Sequence, residues 1–355
     1  MSIEPEFVIG WDVGGAHLKA VSLDRNGSVV RCIQLPCPLW QGLQHLELGI
    51  DKLVSASRAT CHAVTMTGEL VDLFANRSEG VLAIAHVLGR KLHNQALLFF
   101  AGEKAFVPLR QCSDAVESIA SMNWYATGQF TASRLKQALV IDIGSTTTDM
   151  ILVRDGRVNA EGMSDFSRMA SDELVYTGLV RTPLMALGRK IKFQNTEVGV
   201  MAEYFATSAD VYRVLGELPE HADQQPVADN GEKTWHGSAR RLARMIGRDV
   251  ESADEDAWRD LAHAFADSQL QHLHEACGRL LVRDVVDAEA PLVGAGCGSF
   301  LVRKLALALH RPYVDFAGFA TGNPIAMAGV NTCAPAYSVA ALALEQMNQV
   351  KATNA

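Results

Sequence analysis

The chain has 355 residues, 48% hydrophobic and 20% charged, enough for about two domains with sizeable cores. Its formal net charge is −8, and its basic stretch (Arg240, Arg241, Arg244, Arg248), read as one helix face, runs straight into Asp249, Glu251, Asp254, Glu255 and Asp256; nucleic acid is not an expected partner. No run of about 18 apolar residues is present, so no membrane span is expected, and the acidic start MSIEPEF does not read as a signal peptide.

In chain order, residues 7–24 (FVIGWDVGGAHLKAVSLD) read as a strand, a small-residue turn after Asp12 and a second strand. Leu43, Leu46, Ile50, Leu53 and Val54 recur at helical spacing, and residues 63–67 form a strand-like run ending at Gly68 and Glu69. Val81, Ile84, Ala85 and Leu88 mark a helix, 96–100 a buried strand, and Ser113 a cap before Val116, Ile119 and Ala120. Residues 127–137 read as a linker. The first motif then repeats at 139–156 (LVIDIGSTTTDMILVRDG). Helical periodicity covers 171–188, 195–216, 238–247 and 252–285, the last opened by a Ser252/Glu255 capping box. Residues 219–237 read as a long loop, either a mobile surface excursion or a flap. A strand from Pro291 enters a glycine turn at Gly296, a helix runs over 299–309, and the alanine-rich tail 324–348 is helical with a break at Pro335. Seven cysteines without a CxxC pair point to reduced, cytoplasmic thiols.

The duplicated hairpin carries the chemistry. Each copy places an aspartate, Asp12 or Asp142, after an apolar strand and before a turn that brings backbone N–H groups to an oxyanion. Gly14, Gly15, Gly144, Ser145, Thr146 and Thr147 are the candidate phosphate-binding positions, with Lys19 as the neutralising cation. Asp12 and Asp142 can hold a divalent cation such as Mg2+. Asp149 either adds a carboxylate on the metal side or closes its turn. His17 shares a strand face with Lys19 and is a candidate base, or a polar residue satisfied within the strand. Glu69 accepts a proton or pairs with a substrate ammonium, or else belongs to a helix start. Gly294, Gly296 and Gly298 form a third glycine turn suited to packing a nucleoside or another flat group, and Cys297 reads as a small residue filling it.

Two Asp-Gly hairpins followed by this late turn resemble the actin-like ATPase and sugar kinase superfamily, with 8–24, 140–156 and 291–306 similar to its phosphate-1, phosphate-2 and adenosine motifs. The resemblance implies an α/β chain of two ribonuclease-H-like domains around a central cleft. The first would be 1–137 plus a C-terminal helix 336–355, the second 138–335 with a helical insertion around 195–285. The segments Asp12–Lys19, Thr65–Glu69, Ser78–Val81, Ala209–Gly216, Arg241–Arg244 and Asp142–Asp149 also resemble a branch of the hydantoinase/oxoprolinase-like group linked to tetrahydromethanopterin-dependent C1 transfer.

That branch implies a cytoplasmic transferase of methanofuran-type cofactor biosynthesis. It would join an aminomethylfuran-methyl diphosphate to the phenol of γ-glutamyltyramine and release diphosphate. Asp12, Asp142, Glu69 and His17 would be its catalytic residues. The chain is far shorter than true hydantoinases and lacks their hydrolase machinery, so ring opening is not expected. ATP is compatible with the motifs but not required. The alternatives are an ATP-dependent kinase or ATPase, with adenine at 294–298, and a non-catalytic regulatory binding protein. Expected partners are the small-molecule diphosphate and phenolic amine, and a second copy of the chain.

Overall fold

The structure, a computed structural model, describes residues 6–55, 57, 59–284 and 286–353. Residues 1–5 of the acidic start, and residues 354–355 at the end of the expected C-terminal helix, lie outside the described residues.

Strand β1 (Val8–Val13) is buried throughout and pairs antiparallel with β2 (His17–Leu23), placing Asp12 opposite Lys19. The chain turns at Asp24, whose Oδ1 accepts from the N–H groups of Asn26 and Ser28 at 2.8 and 2.9 Å, and continues into β3 (Ser28–Pro36). Helix α1 (Gln44–Val54) buries Leu46, Ile50 and Leu53. Strand β4 (Cys61–Met66) lies parallel to β1 with Thr65 beside Asp12. Helix α2 (Arg77–Lys91) is capped by the Asn76 side chain. Strand β5 (Ala96–Phe100) pairs parallel with β4, and β6 (Phe106–Pro108) antiparallel with β5. Short α3 (Val116–Ile119) and α4 (Asn123–Ala132) follow.

Two expectations fail in this part. Ser113 does not cap α3; it lies in a 3-10 turn over Leu109–Asp114, and Ala115 holds the cap position. Residues 127–132 are buried helix, not linker. The Thr127 and Thr131 hydroxyls donate back to the carbonyls of Asn123 and Thr127. A Cβ on Gly128 would meet Ile151 and Val158 at 2.6 and 3.0 Å. Small and hydroxyl residues that resemble a loop here let a helix lie close to its neighbours.

The second half contributes β7 (Ala138–Ile143), β8 (Thr148–Arg154), β9 (Arg157–Val158), α5 (Asp165–Ala170), β10 (Leu174–Val175), β11 (Lys190–Phe193), β12 (Thr196–Gly199), α6 (Ser208–Leu215), α7 (Trp235–Met245), α8 (Glu255–Arg283), β13 (Leu292–Ala295), α9 (Ser299–Ala308), β14 (Tyr313–Asp315), β15 (Thr321–Gly322), α10 (Pro324–Met327) and α11 (Ala334–Thr353). The first sheet is ordered β15-β3-β2-β1-β4-β5-β6 and the second β10-β8-β7-β13-β14, with β9 also on β8. Both sheets therefore contain the same core order, β3-β2-β1-β4-β5 and β9-β8-β7-β13-β14. This is the α/β, ribonuclease-H-like duplication expected from the repeated hairpin. The chain forms two compact units: residues 1–140, 151–160 and 314–355, and residues 141–150 and 161–313.

Helical readings over 171–188 and 195–216 are wrong in large part. The first range holds β10, extended chain and a 3-10 turn at Leu184–Ala186; of the second only α6 is helical, and β11 and β12 form a separate hairpin. The apolar residues at helical spacing there are buried from other backbone: Leu174 from strand β10, Leu184 and Leu187 from the 3-10 turn and its end. Helix α8 is capped by Asp254, which accepts from Ala257 N–H at 2.9 Å, while Ser252 sits in the preceding 3-10 turn. Pro335 does not break a helix; it occupies the first turn of α11, where its missing N–H costs nothing.

Residues 219–237 are tied down by charge. Arg241 is 1% exposed and bonds Asp210 and Asp229 at 2.8 and 3.1 Å and the Glu232 carbonyl at 3.1 Å. Arg213 and Lys233 both pair with Asp223. Arg241 thus does not share a solvated basic face with Arg240; it is an internal counter-ion.

In the first unit, α11 crosses β1 where Gly10 leaves room. A Cβ there would stand 1.9 Å from the Ala336 carbonyl oxygen and 2.8 Å from Ala340 Cβ. Gly10→Ala is expected to cost about 1–3 kcal/mol by overpacking, read as a lower urea midpoint. An unchanged midpoint would show that α11 does not seat on β1 in solution.

Candidate active site

The first turn, Gly14–Ala16, closes where Gly14 N–H donates to the His17 carbonyl at 3.0 Å. Its carbonyls are satisfied from behind: Gly15 O by Leu39 N–H and Ala16 O by Cys37 N–H, each at 2.9 Å. The side chains of Lys19, Asp12 and Thr65 sit side by side across β2, β1 and β4. Lys19 Nζ is 3.6 Å from Asp12 Oδ2, and Asp12 is only 4% exposed. The Thr65 hydroxyl is fully buried and has no hydrogen-bond partner among the described residues. His17 is 5% exposed.

On the other face of β1, Trp11 Nε1 donates to His62 Nδ1 at 3.0 Å, both residues being buried. Burial holds the His62 pKa down at about 4, against its ordinary 6.5. The unfolded chain therefore takes up this proton first as pH falls, so stability present above pH 6.5 is lost between 6.5 and about 4. In His62→Gln that component is absent, and its deficit against wild type in urea unfolding is expected to shrink from pH 7 to 4.5. A constant deficit would mean that His62 titrates normally.

Glu69 lies past the end of β4, in a 3-10 turn at Gly68–Leu70. It is 1% exposed and accepts a hydrogen bond from Ser121 Oγ at 2.8 Å. Ser121 itself adopts a left-handed φ of 54°.

The second turn, Gly144–Thr147, is held more elaborately. Gly144 N–H donates to Thr147 O at 2.9 Å. From behind, Gly298 N–H donates to Ile143 O and Leu179 N–H to Gly144 O, both at 2.9 Å, and Val180 and Arg181 N–H donate to Ser145 O at 3.0 and 2.8 Å. In a trans peptide C=O and N–H point opposite ways. The inward carbonyls of Gly144 and Ser145 therefore turn the N–H groups of Ser145 and Thr146 outward. Asp142, Ser145, Thr146 and Thr147 are half-buried.

The supporting segment 177–182 is itself locked. Gln269 Nε2 donates to Thr177 Oγ1 and Gly178 O at 2.8 Å, Tyr212 donates to Gln269 Oε1 at 2.7 Å, and Ser208 donates to Gly178 O at 2.9 Å. Gly178 must be glycine, because a Cβ would stand 2.5 Å from Thr146 N.

The third glycine turn packs onto the second hairpin. Gly296 has φ 81°, and a Cβ there would stand 2.2 Å from Ile143 O and 2.5 Å from Asp142 Oδ1. A Cβ at Gly298 would strike Ile143 Cγ2 at 2.5 Å, and one at Gly294 the Tyr313 ring at 2.8 Å. All three glycines are thus accounted for by protein neighbours. Cys297 Sγ lies 3.7 Å from Ile143 O. Asp149 Oδ1 accepts from Arg168 Nη1 at 2.7 Å, neutralising a guanidinium that is 1% exposed. Gly296→Ala is expected to destabilise by about 1–3 kcal/mol through its positive φ and the lost space beside Asp142. Calorimetric melting checks this, and an unchanged melting temperature would contradict it.

Among the described residues, no group of three or more His, Cys, Asp or Glu is placed to hold a metal ion, and no helix is long and apolar enough to cross a membrane. No cysteine forms a disulfide.

Residues 60–328 match the family model described as hydantoinase/oxoprolinase. The chain belongs to this family. Within it, the chain is 29% identical over 270 residues to (4-{4-[2-(gamma-L-glutamylamino)ethyl]phenoxymethyl}furan-2-yl)methanamine synthase of Methanocaldococcus jannaschii, covering 76% of this chain and 80% of that one. The synthase of the same name from Methanococcus vannielii is 36% identical over 122 residues, 34% of this chain and 54% of that one. The fold is also found in a nucleotide-free acetone carboxylase structure, with a TM-score of 0.56 at 10% identity over 95% of this chain and 70% of that one.

Sequence reasoning missed Arg181, Gln269 and Thr65. Arg181 is exposed while Leu179, Val180 and Thr182 around it are buried, and its Nη1 stands 3.5 Å from Thr146 Oγ1. Its one visible signal was a lone charge inside the apolar run Gly178-Leu-Val-Arg-Thr-Pro183.

Proposed function

We propose that this protein is a transferase of methanofuran-type cofactor biosynthesis, forming the aryl furfuryl ether named in its relatives. The observation that carries the reading is the match to the M. jannaschii synthase over 76% of this chain and 80% of that one. That product name contains a phenoxymethyl-furan, so the bond formed is between a furan-borne CH2 and a phenol oxygen.

In this reading the substrate is an aminomethylfuran-methyl diphosphate. The CH2–O bond to diphosphate breaks with its electron pair leaving on the diphosphate. The electron-rich furan carries the positive charge at carbon, the phenol oxygen forms the new bond, and the phenol proton departs. The outward N–H groups of Ser145 and Thr146, with the hydroxyls of Ser145, Thr146 and Thr147, bind the leaving oxygens as their charge grows. In the first turn the N–H of Gly14 is taken by the His17 carbonyl, and Lys19 is the cation this reading assigns to phosphate oxygens. Phenols ionise near ~10, so proton removal needs a neighbouring base. His17 and Glu69 are the candidates; both are buried, and Glu69 is already held by Ser121.

A divalent cation suits this donor set. Mg2+ is held through one or two carboxylates, with phosphate oxygens and water completing its shell. In this reading Asp12 or Asp142 would be the carboxylate offered to it, while Asp149 is committed to Arg168. When bound, the cation supplies charge neutralisation for the diphosphate.

The test supplies the furan diphosphate with γ-glutamyltyramine and Mg2+. Ether and diphosphate are expected in equal amounts without ATP. Asp12→Asn and Asp142→Asn are each expected to lower the rate about 100-fold or more with melting unchanged. ADP formation from ATP with no requirement for the furan compound would replace this reading with a kinase or ATPase. Wild-type flux with either aspartate removed would favour a regulatory binding protein.

A further inference from the structure

We infer that Arg181 is a diphosphate-binding residue of the second turn, a role resting on the function proposed above. Four observations, all within the second unit, converge on it.

First, Arg181 is built into the turn. Its own N–H and that of Val180 both donate to the Ser145 carbonyl, and Leu179 N–H donates to Gly144 O. The backbone of Arg181 therefore cannot drift from residues 144–146 without breaking three hydrogen bonds.

Second, the support is rigid. Gln269, Tyr212, Ser208 and Thr182 form a buried, mutually bonded polar network under Thr177 and Gly178. A network whose polar groups are engaged in this way keeps one geometry. Gly178 approaches Thr146 so closely that no side chain fits between them.

Third, the side chain leaves this packed segment toward the binding side. Val180 and Thr182 are each 3% exposed, yet Arg181 between them is exposed. Its guanidinium reaches the Thr146 hydroxyl, at 3.5 Å, beside the N–H groups that the turn directs outward. A planar fork of donors fits two oxygens of one phosphoryl group, which a lysine ammonium cannot match.

Fourth, the two turns are otherwise unequal. The Asp12 turn has Lys19 across the strand pair, with Nζ 3.6 Å from its carboxylate. The Asp142 turn carries Gly144, Ser145, Thr146 and Thr147, none of them a cation. Arg168, which packs against this hairpin, is 1% exposed and spent on Asp149. Arg181 supplies the positive charge that this turn's own sequence lacks.

The experiment titrates the full-length protein with inorganic diphosphate and Mg2+ by calorimetry, for wild type, Arg181→Ala, Arg181→Lys and Asp142→Asn. Arg181→Ala is expected to weaken diphosphate binding 10-fold or more while melting stays within a degree or two of wild type. Arg181→Lys, which keeps the charge but loses the fork, is expected to fall between. The furan diphosphate assay is run in parallel, with Arg181→Ala expected to raise KM for that substrate. If Asp142→Asn loses diphosphate while Arg181→Ala binds it within twofold of wild type, the role of Arg181 is overturned and the proposed function stands. If wild type itself holds no diphosphate and releases none from the furan substrate, both fall together.

Discussion

The direction of a few backbone carbonyls governs this molecule. At the Asp142 turn the carbonyls of Ile143, Gly144 and Ser145 are all taken by N–H groups from residues 298 and 179–181. A planar trans peptide then has no freedom over where the following N–H points. The same device operates at the first turn, where residues 37 and 39 take the carbonyls of Ala16 and Gly15. In both turns the N–H directions are set from behind, by backbone groups of other segments.

The supporting segments differ between the two halves. The first turn leans on chain close in sequence, residues 37–39, with Gly68 packed beneath Val13 and Gly14. The second draws its support from 177–182, from 296–298 and, at one remove, from α6 and α8 through Tyr212 and Gln269. The helical insertion is therefore part of the apparatus that holds the second turn. Its own core, with Phe193 stacked on Trp258 at 5.1 Å, gives that apparatus a stable base.

What could be read from sequence divides along the range of the causes. The paired hairpins were legible because strand, aspartate, small-residue turn and strand are consecutive, and their apolar runs need no distant partner to be recognised. Helices α1, α2, α7 and α8 were legible from apolar spacing alone. The range 171–188 was not, because residues buried from a short strand and a 3-10 turn fell by chance at helical intervals. The hydroxyl-rich α4 looked like a linker because its stabilising bonds run from side chain to backbone. Arg181 showed only as a lone charge in an apolar run, because its meaning lies in hydrogen bonds to a turn far back in the sequence. The glycines at 294, 296 and 298 were read as packing a nucleoside or another flat group, whereas the groups that crowd them are protein atoms.

The seating of α11 against Gly10 also bears on the order of synthesis. The first unit begins with β1 yet needs residues 314–355 to be whole, whereas the second closes at residue 313. On the ribosome, the half that starts first is completed last. Until the final helix emerges, the surface of β1 around Gly10 remains uncovered, and the nascent chain must protect it by some other means.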